Sequence, residues 1–253
     1  MSQTSLSESI NDFDPLAEVY DQLVSWAPYQ QWIENLLPRL RSHGLNDEDQ
    51  VLDVACGTGL SSIPLADRGY DVVGVDRSIP MLAQARKRAR EAGVDVDFRR
   101  ADLLAMNLER QFDLVLCMHS GLDYILDIDR LQQAFEVLRR HTREGGLLTF
   151  DKCLDEPSFY QEPSSNSRSL SNGTAVFHYS WDRANKIFQQ RCVILREGDE
   201  GEAVERTEVV HKMLAVEVNQ LIDMAERAGF EVLERPRQFT ISDPGMGIFR
   251  AVR

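Results

Sequence analysis

The chain has 253 residues, 43% of them apolar, which is enough to bury the core of one domain and leave room for an insertion. Its 28 basic and 41 acidic residues give a net charge of −13, which argues against a general nucleic-acid binder. The basic run Arg86–Arg90 falls inside a helical pattern and reads as a solvated face, while the acidity is also compatible with a cationic substrate.

The N-terminus is polar and lacks a signal-peptide core, and no apolar run approaches a membrane span. Cys56, Cys117, Cys153 and Cys192 form no CxxC or Cys/His cluster, so free thiols are expected and no metal site. These features predict a cytoplasmic protein with no membrane partner.

After a tail over 1–12, residues 16–44 carry apolar side chains at helical spacing, and Pro28 divides them into two predicted helices. "QVLDVAC" and "YDVVGVD" are short apolar strands separated by a glycine turn and a helix. Ser78 caps a helix that stops near Gly93; "VDFRRADL" and "FDLVLCMH" are the third and fourth strands. A helix from about 129 to 142 and a fifth strand, "GGLLTFDKC", complete the alternation.

The Ser-, Pro- and Asn-rich stretch 154–173 reads as a loop, followed by three strand-like runs at 174–182, 186–197 and 203–214. Turns are expected at Asp182–Asn185 and at "EGDEGE". A helix opening at Ala215 and two strands, around "EVLERPRQF" and "GIFRAVR", return to the main pattern. Alternating strands and helices predict an α/β fold, with a mostly parallel, Rossmann-like seven-stranded sheet covered by helices on both faces. Residues 13–153 and 214–253 would form that core, and 154–213 a loop and an antiparallel β lid.

Ligands bind such sheets at strand C-termini, near a topological switch point. Gly57 and Gly59 would let the backbone approach a ligand closely. Asp76 is placed to accept from two ribose hydroxyls, and Asp102 from an exocyclic amine of adenine. A dinucleotide site would satisfy the same physics, but its fingerprint wants a third glycine where this chain has Ser62. Asp53 before the turn suits a cationic amino-acid end better than a pyrophosphate. An adenosine half joined to an amino-acid half describes S-adenosylmethionine.

At these residues the chain resembles the class I S-adenosylmethionine-dependent methyltransferases. "DVACGTG" resembles their glycine motif, with Ala55 where the first glycine often stands. "VGVD" and "RADL" are similar to their ribose- and adenine-contacting motifs, and "FDLVLCMHSGLDYIL" to their fourth. "YDQLVSWAPYQQW", "NGTAVFHYSWD" and "ERTEVVHKM" resemble, more narrowly, a small-molecule branch that includes bacterial sugar N,N-dimethyltransferases and glycine N-methyltransferase. The resemblance implies a cofactor set of Tyr20, Asp53, Ala55, Cys56, Gly57, Gly59, Asp76, Arg77, Met81, Ala101, Asp102, Leu103, Cys117 and Met118. It also implies that Tyr20 covers the sulfonium end of the cofactor and that the insertion covers the substrate.

Methyl transfer is an in-line displacement, so a base is needed only when the acceptor must lose a proton. His119, just after the fourth strand, is the first catalytic candidate, against a purely packing role. His211 is the second, against a strand-end histidine facing water. Glu208, three residues earlier on the same strand, would point to the opposite face. Tyr179 and Trp181 alternate with Phe177 on an aromatic face that either lines the pocket or packs on the main sheet. Tyr29, Trp32 and Glu208 complete the expected substrate pocket. The expected activity is methylation of a small molecule, with nitrogen ahead of oxygen or carbon as acceptor. An RNA or protein methyltransferase and a noncatalytic cofactor-binding regulator are the alternatives.

Overall fold

A computed structural model describes residues 9–10, 12–154, 163–196 and 204–253. Its main sheet contains β2 (Gln50–Val54), β3 (Asp71–Asp76), β4 (Asp97–Arg100), β5 (Phe112–Cys117), β6 (Thr142–Phe150), β11 (Phe230–Glu234) and β12 (Gly247–Ala251). The spatial order is β11-β12-β6-β5-β2-β3-β4, and only β12 runs against its neighbours. The order reverses at β2 and β5, which places the switch point beside the glycine turn.

The strands are apolar on both faces because both are covered. On one face, α2 (Tyr29–Ser42) lays Trp32, Ile33, Leu36, Leu37 and Leu40 against Val51, Val72, Leu114, Leu116 and Ile248. On the other, α5 (Ile128–His141) and α6 (Val218–Arg227) pack Leu131, Phe135, Leu138, Leu221 and Met224 onto Leu52, Val115, Leu148 and Phe249. Each such fully buried side chain contributes about 1.5–3 kcal/mol of transfer free energy. Helix α4 (Ile79–Ala92) starts on a Ser78 side chain that accepts the Met81 N–H and ends on Gly93 at φ +70°.

The second sheet contains β7 (Ser164–Leu170), β8 (Gly173–Asp182), β9 (Ile187–Arg196) and β10 (Glu205–Leu214), all antiparallel. The two-residue β1 (Ser9–Ile10) adds to β10 in parallel. Strand β7 corrects the expectation of a loop over 154–173. Its serines and asparagine are exposed on an edge strand, so period-two hydrophobicity is absent while the backbone still pairs in register with β8. Residues 155–162 of that stretch, most of the N-terminal tail and the "EGDEGE" turn lie outside the described residues. The helix expected at Ala215 opens at Val218 instead, because Val216 is held in a bridge to Leu154.

The N-terminal segment links the two sheets. Leu16, Val19 and Leu23 pack on Ala175, Phe177, Cys192, Ile194 and Val209 of the second sheet. Short helix α1 (Tyr20–Leu23) is held to the main sheet by Asp21, which accepts the Thr58 hydroxyl at 2.7 Å and pairs with Arg88 of α4. The segment is therefore fixed from both sides, over the strand ends.

Candidate active site

Strand β2 leads into a turn in which Ala55 sits at φ +56° and Gly57 at φ +55°. The left-handed conformation costs a residue with a Cβ about 1–2 kcal/mol, so Ala55 is strained at the floor of the crevice. Asp76, ending β3, holds the turn: its Oδ2 accepts the Gly57 N–H and its Oδ1 the Ser78 N–H, both at 2.9 Å. Burial raises the Asp76 pKa, and these N–H groups oppose the rise. Asp53 supports the turn from beneath, its Oδ2 accepting the hydroxyls of Ser61 at 2.6 Å and Ser62 at 2.5 Å. Burial pushes its carboxyl up to about 6.

Above the turn lies a cavity of about 360 Å³, with an apolar slot formed by Val75, Met81, Ala101, Leu103 and Ile125. Ala55, Gly57, Asp76, Arg77 and Asp102 supply its polar and backbone edge. A second cavity of about 430 Å³ opens between the strand ends and the antiparallel sheet. Phe177, Tyr179, Phe188 and Gln190 wall it from the sheet, Asp123 and Asp151 from the core, and exposed Trp26 and Ile241 from solvent. Phe13, Tyr20, His119 and Tyr124 line both cavities.

His119 and Ser120 follow β5 at φ +65° and +69°, two consecutive left-handed residues. The Ser120 N–H donates to Asp151 Oδ2 at 2.9 Å, which ties this bend to the end of β6. The Tyr29 hydroxyl shares a hydrogen bond with His119 Nδ1, and the rings of Trp26 and Trp32 stand edge-on, each at 5.7 Å. Burial pushes the imidazole down to about 4, so the ring is neutral at pH 7. His211 on β10 is also buried, with its ring 4.5 Å from that of Phe13 and 5.7 Å from that of Tyr124. Burial, and secondarily Arg77, push it down to about 4.

Residues 51–146 match the family model described as a methyltransferase domain. A protein of Geobacillus sp. (strain WCH70) named as a methyltransferase is 29% identical over 236 residues, covering 92% of this chain and 94% of its own. The chain is an S-adenosylmethionine-dependent methyltransferase enzyme with the class I fold. A solved S-adenosylmethionine-dependent methyltransferase from Clostridium acetobutylicum ATCC 824 has the same fold, with a TM-score of 0.79 at 20% identity over 95% of this chain and 99% of that one. The S-adenosylmethionine-bound amino pentose methyltransferase CalS10 from Micromonospora echinaspora gives 0.75 at 18% identity over 92% and 97%.

The first cavity of this methyltransferase suits its cofactor: a carboxylate at Asp76, an apolar slot, and a wall that comes close only because Gly121 lacks a side chain. A Cβ on Gly121 would stand 2.5 Å from Cys117 Sγ and 3.1 Å from Ala55 Cβ. Of the expected cofactor set, Tyr20, Ala55, Gly57, Asp76, Arg77, Met81, Ala101, Asp102 and Leu103 line this cavity. Asp53, Cys56, Gly59, Cys117 and Met118 are not among its lining residues. Asp53 and Cys56 are buried under the turn, Cys117 and Met118 within the core, and Gly59 faces Phe98, Ile63 and Ala85.

Of the expected substrate pocket only Tyr179 lines the second cavity. Tyr29 and Trp32 lie one layer behind, as supports for His119. Glu208 points to the other face of β10 from His211, where it pairs with Arg191 and Arg206. Trp181 stands opposite Phe188 near the end of β8, beyond the cavity. The buried face of β8 packs on the N-terminal segment through Phe177, and not on the main sheet.

Sequence reasoning missed Asp21, Phe13, Asp123 and Asp151. Asp151 carried a usable signal, since it directly follows an apolar strand, much as Asp76 ends one. Asp123 carried none: its buried ion pair with Lys152, 2.9 Å long, joins residues 29 apart in sequence.

Proposed function

We propose that this methyltransferase transfers the methyl group to a nitrogen of a small molecule held in the second cavity. The observation that carries the reading is the shared wall: Phe13, Tyr20, His119 and Tyr124 border both cavities, so acceptor and methyl donor would meet beside His119. A space of about 430 Å³, roofed by a sheet, suits a metabolite-sized ligand. The methyltransferase CalS10 of the same fold is named for an amino pentose, an amine-bearing sugar, which supports nitrogen as the acceptor atom.

Asp76 would hold the ribose hydroxyls, Asp102 the adenine amine, and Tyr20 would close over the junction. When bound, S-adenosylmethionine supplies a methyl carbon already activated by a sulfonium. The protein's task is then to exclude water and align the acceptor for in-line attack, worth several orders of magnitude in rate. His119, neutral at pH 7 and held by Tyr29, would orient the acceptor, with His211 facing it from the lid.

Purified protein incubated with S-adenosylmethionine and a panel of amines, phenols and indoles tests this through S-adenosylhomocysteine release. Turnover with amines is the expected result. Turnover confined to protein or RNA, or cofactor binding without turnover of any acceptor, overturns it.

A further inference from the structure

We infer that the second cavity takes its acceptor as an ammonium ion and that Asp151 both pairs with that cation and removes its proton before methylation. The inference rests on the small-molecule methyltransferase reading and adds the acceptor's charge state and the group that changes it.

Asp151 directly follows β6 and lines the cavity, 3% exposed. Its Oδ2 accepts the Ser120 N–H at 2.9 Å, one residue from His119. Its Oδ1 has no hydrogen-bond partner among the described residues. A buried carboxylate oxygen without a partner costs about 1–3 kcal/mol, which a cationic hydrogen-bond donor would offset.

The neighbouring charges single Asp151 out. Asp123 has Lys152 at 2.9 Å and the Cys153 N–H at 2.9 Å, and Lys152 also reaches the Leu214 carbonyl. Arg168, across the cavity, donates to the Leu23 carbonyl. Tyr20, Tyr29 and Cys117, which also surround Asp151, are kept protonated because burial raises their pKa. His119 and His211 are neutral at pH 7 and hold a proton poorly, with values of about 4. Burial, and secondarily the charge of Asp123, push Asp151 up to about 7. A base matched to neutral pH takes a proton and gives it up again most effectively.

The step balances. An ammonium N–H bond breaks, its proton goes to Asp151 Oδ1, and the electron pair stays on nitrogen. That pair forms the new N–C bond as the methyl C–S bond breaks with its electrons leaving on sulfur. The methylated nitrogen carries the positive charge, and Asp151 later returns its proton to solvent.

Asp151→Asn keeps the shape and an acceptor for the Ser120 N–H. At pH 7 it is expected to bind S-adenosylhomocysteine as wild type does in calorimetry. Its kcat/KM for an amine that turns over in the panel should fall by about 10²–10⁴-fold. Raising the pH towards the free amine's own pKa should restore most of that loss, which a merely structural defect would not allow. Carboxyl-carbon NMR of unliganded wild type should show a titration near 7 that is absent from the variant. Wild-type-like turnover at pH 7, or a loss that high pH does not restore, overturns the assignment, as does wild-type turnover confined to phenols. Failure of the underlying reading looks different: the wild type then methylates no small molecule of the panel, whether it modifies protein or RNA or nothing at all.

Discussion

Replacing Asp76 probes the link between the β3 terminus and cofactor affinity. Its two oxygens already accept the Gly57 and Ser78 N–H groups, so Asp76→Ala would remove a ligand contact and unpair two backbone donors together. The unpaired donors alone cost about 1–3 kcal/mol each if they stay buried. Asp76→Asn separates the effects better. The amide oxygen can keep one N–H, while the amide nitrogen faces a donor where a carboxylate oxygen stood, and the charge is lost. Hydrogen bonds to a charged group contribute about 1.5–3 kcal/mol, so losing one and weakening a second amounts to about 2–4 kcal/mol. That corresponds to an affinity loss of about 30–1000-fold. Titration calorimetry with S-adenosylhomocysteine reads it directly, with circular dichroism confirming the fold. A folded Asp76→Asn protein that binds within about 3-fold of wild type would refute both the ribose role and the charge-assisted magnitude.

The buried pair Lys152–Asp123 ties the end of β6 to the loop after β5 and to β10. Lys152→Met leaves the Asp123 charge unmatched, so unfolding by denaturant should show a loss of about 3–5 kcal/mol. A loss below about 1 kcal/mol would mean that Asp123 is protonated or reached by water. His119 and His211 should stay neutral at pH 6 in carbon-13 NMR of the imidazoles, with midpoints of about 4. Their depressed values contribute stability that is present above pH 6.5 and lost as pH falls through about 4. The raised carboxyls of Asp53 and Asp151 act oppositely: their contribution is full below the ordinary carboxyl range and lost as pH rises through about 6 and 7. Stability should therefore change little between pH 4 and 6.5, and a histidine midpoint near 6.5 would contradict the buried placement.

The amino-acid sequence by itself determined the alternation of strands and helices, because periodicity, Ser78 and Gly93 act locally and the strands are apolar on both faces. It also placed Asp76 at the end of β3 and Asp102 just beyond β4, at the edge of the sheet where the first cavity opens. The glycine motif marked the turn, but two of its members, Asp53 and Gly59, turned out to brace it and not to line the cavity. Their direction depends on what packs beneath. Strand β7 was illegible because an exposed edge strand needs no hydrophobic alternation. Tertiary structure alone decided that Asp21 fastens Tyr20 over the site, that Glu208 turns outward while His211 turns inward, and that Asp123 is neutralised by Lys152. It also decided that Asp151 is left with an unpartnered oxygen. The charge and hydrogen bonding of a buried group are set by neighbours distant in sequence, and only folding brings them together.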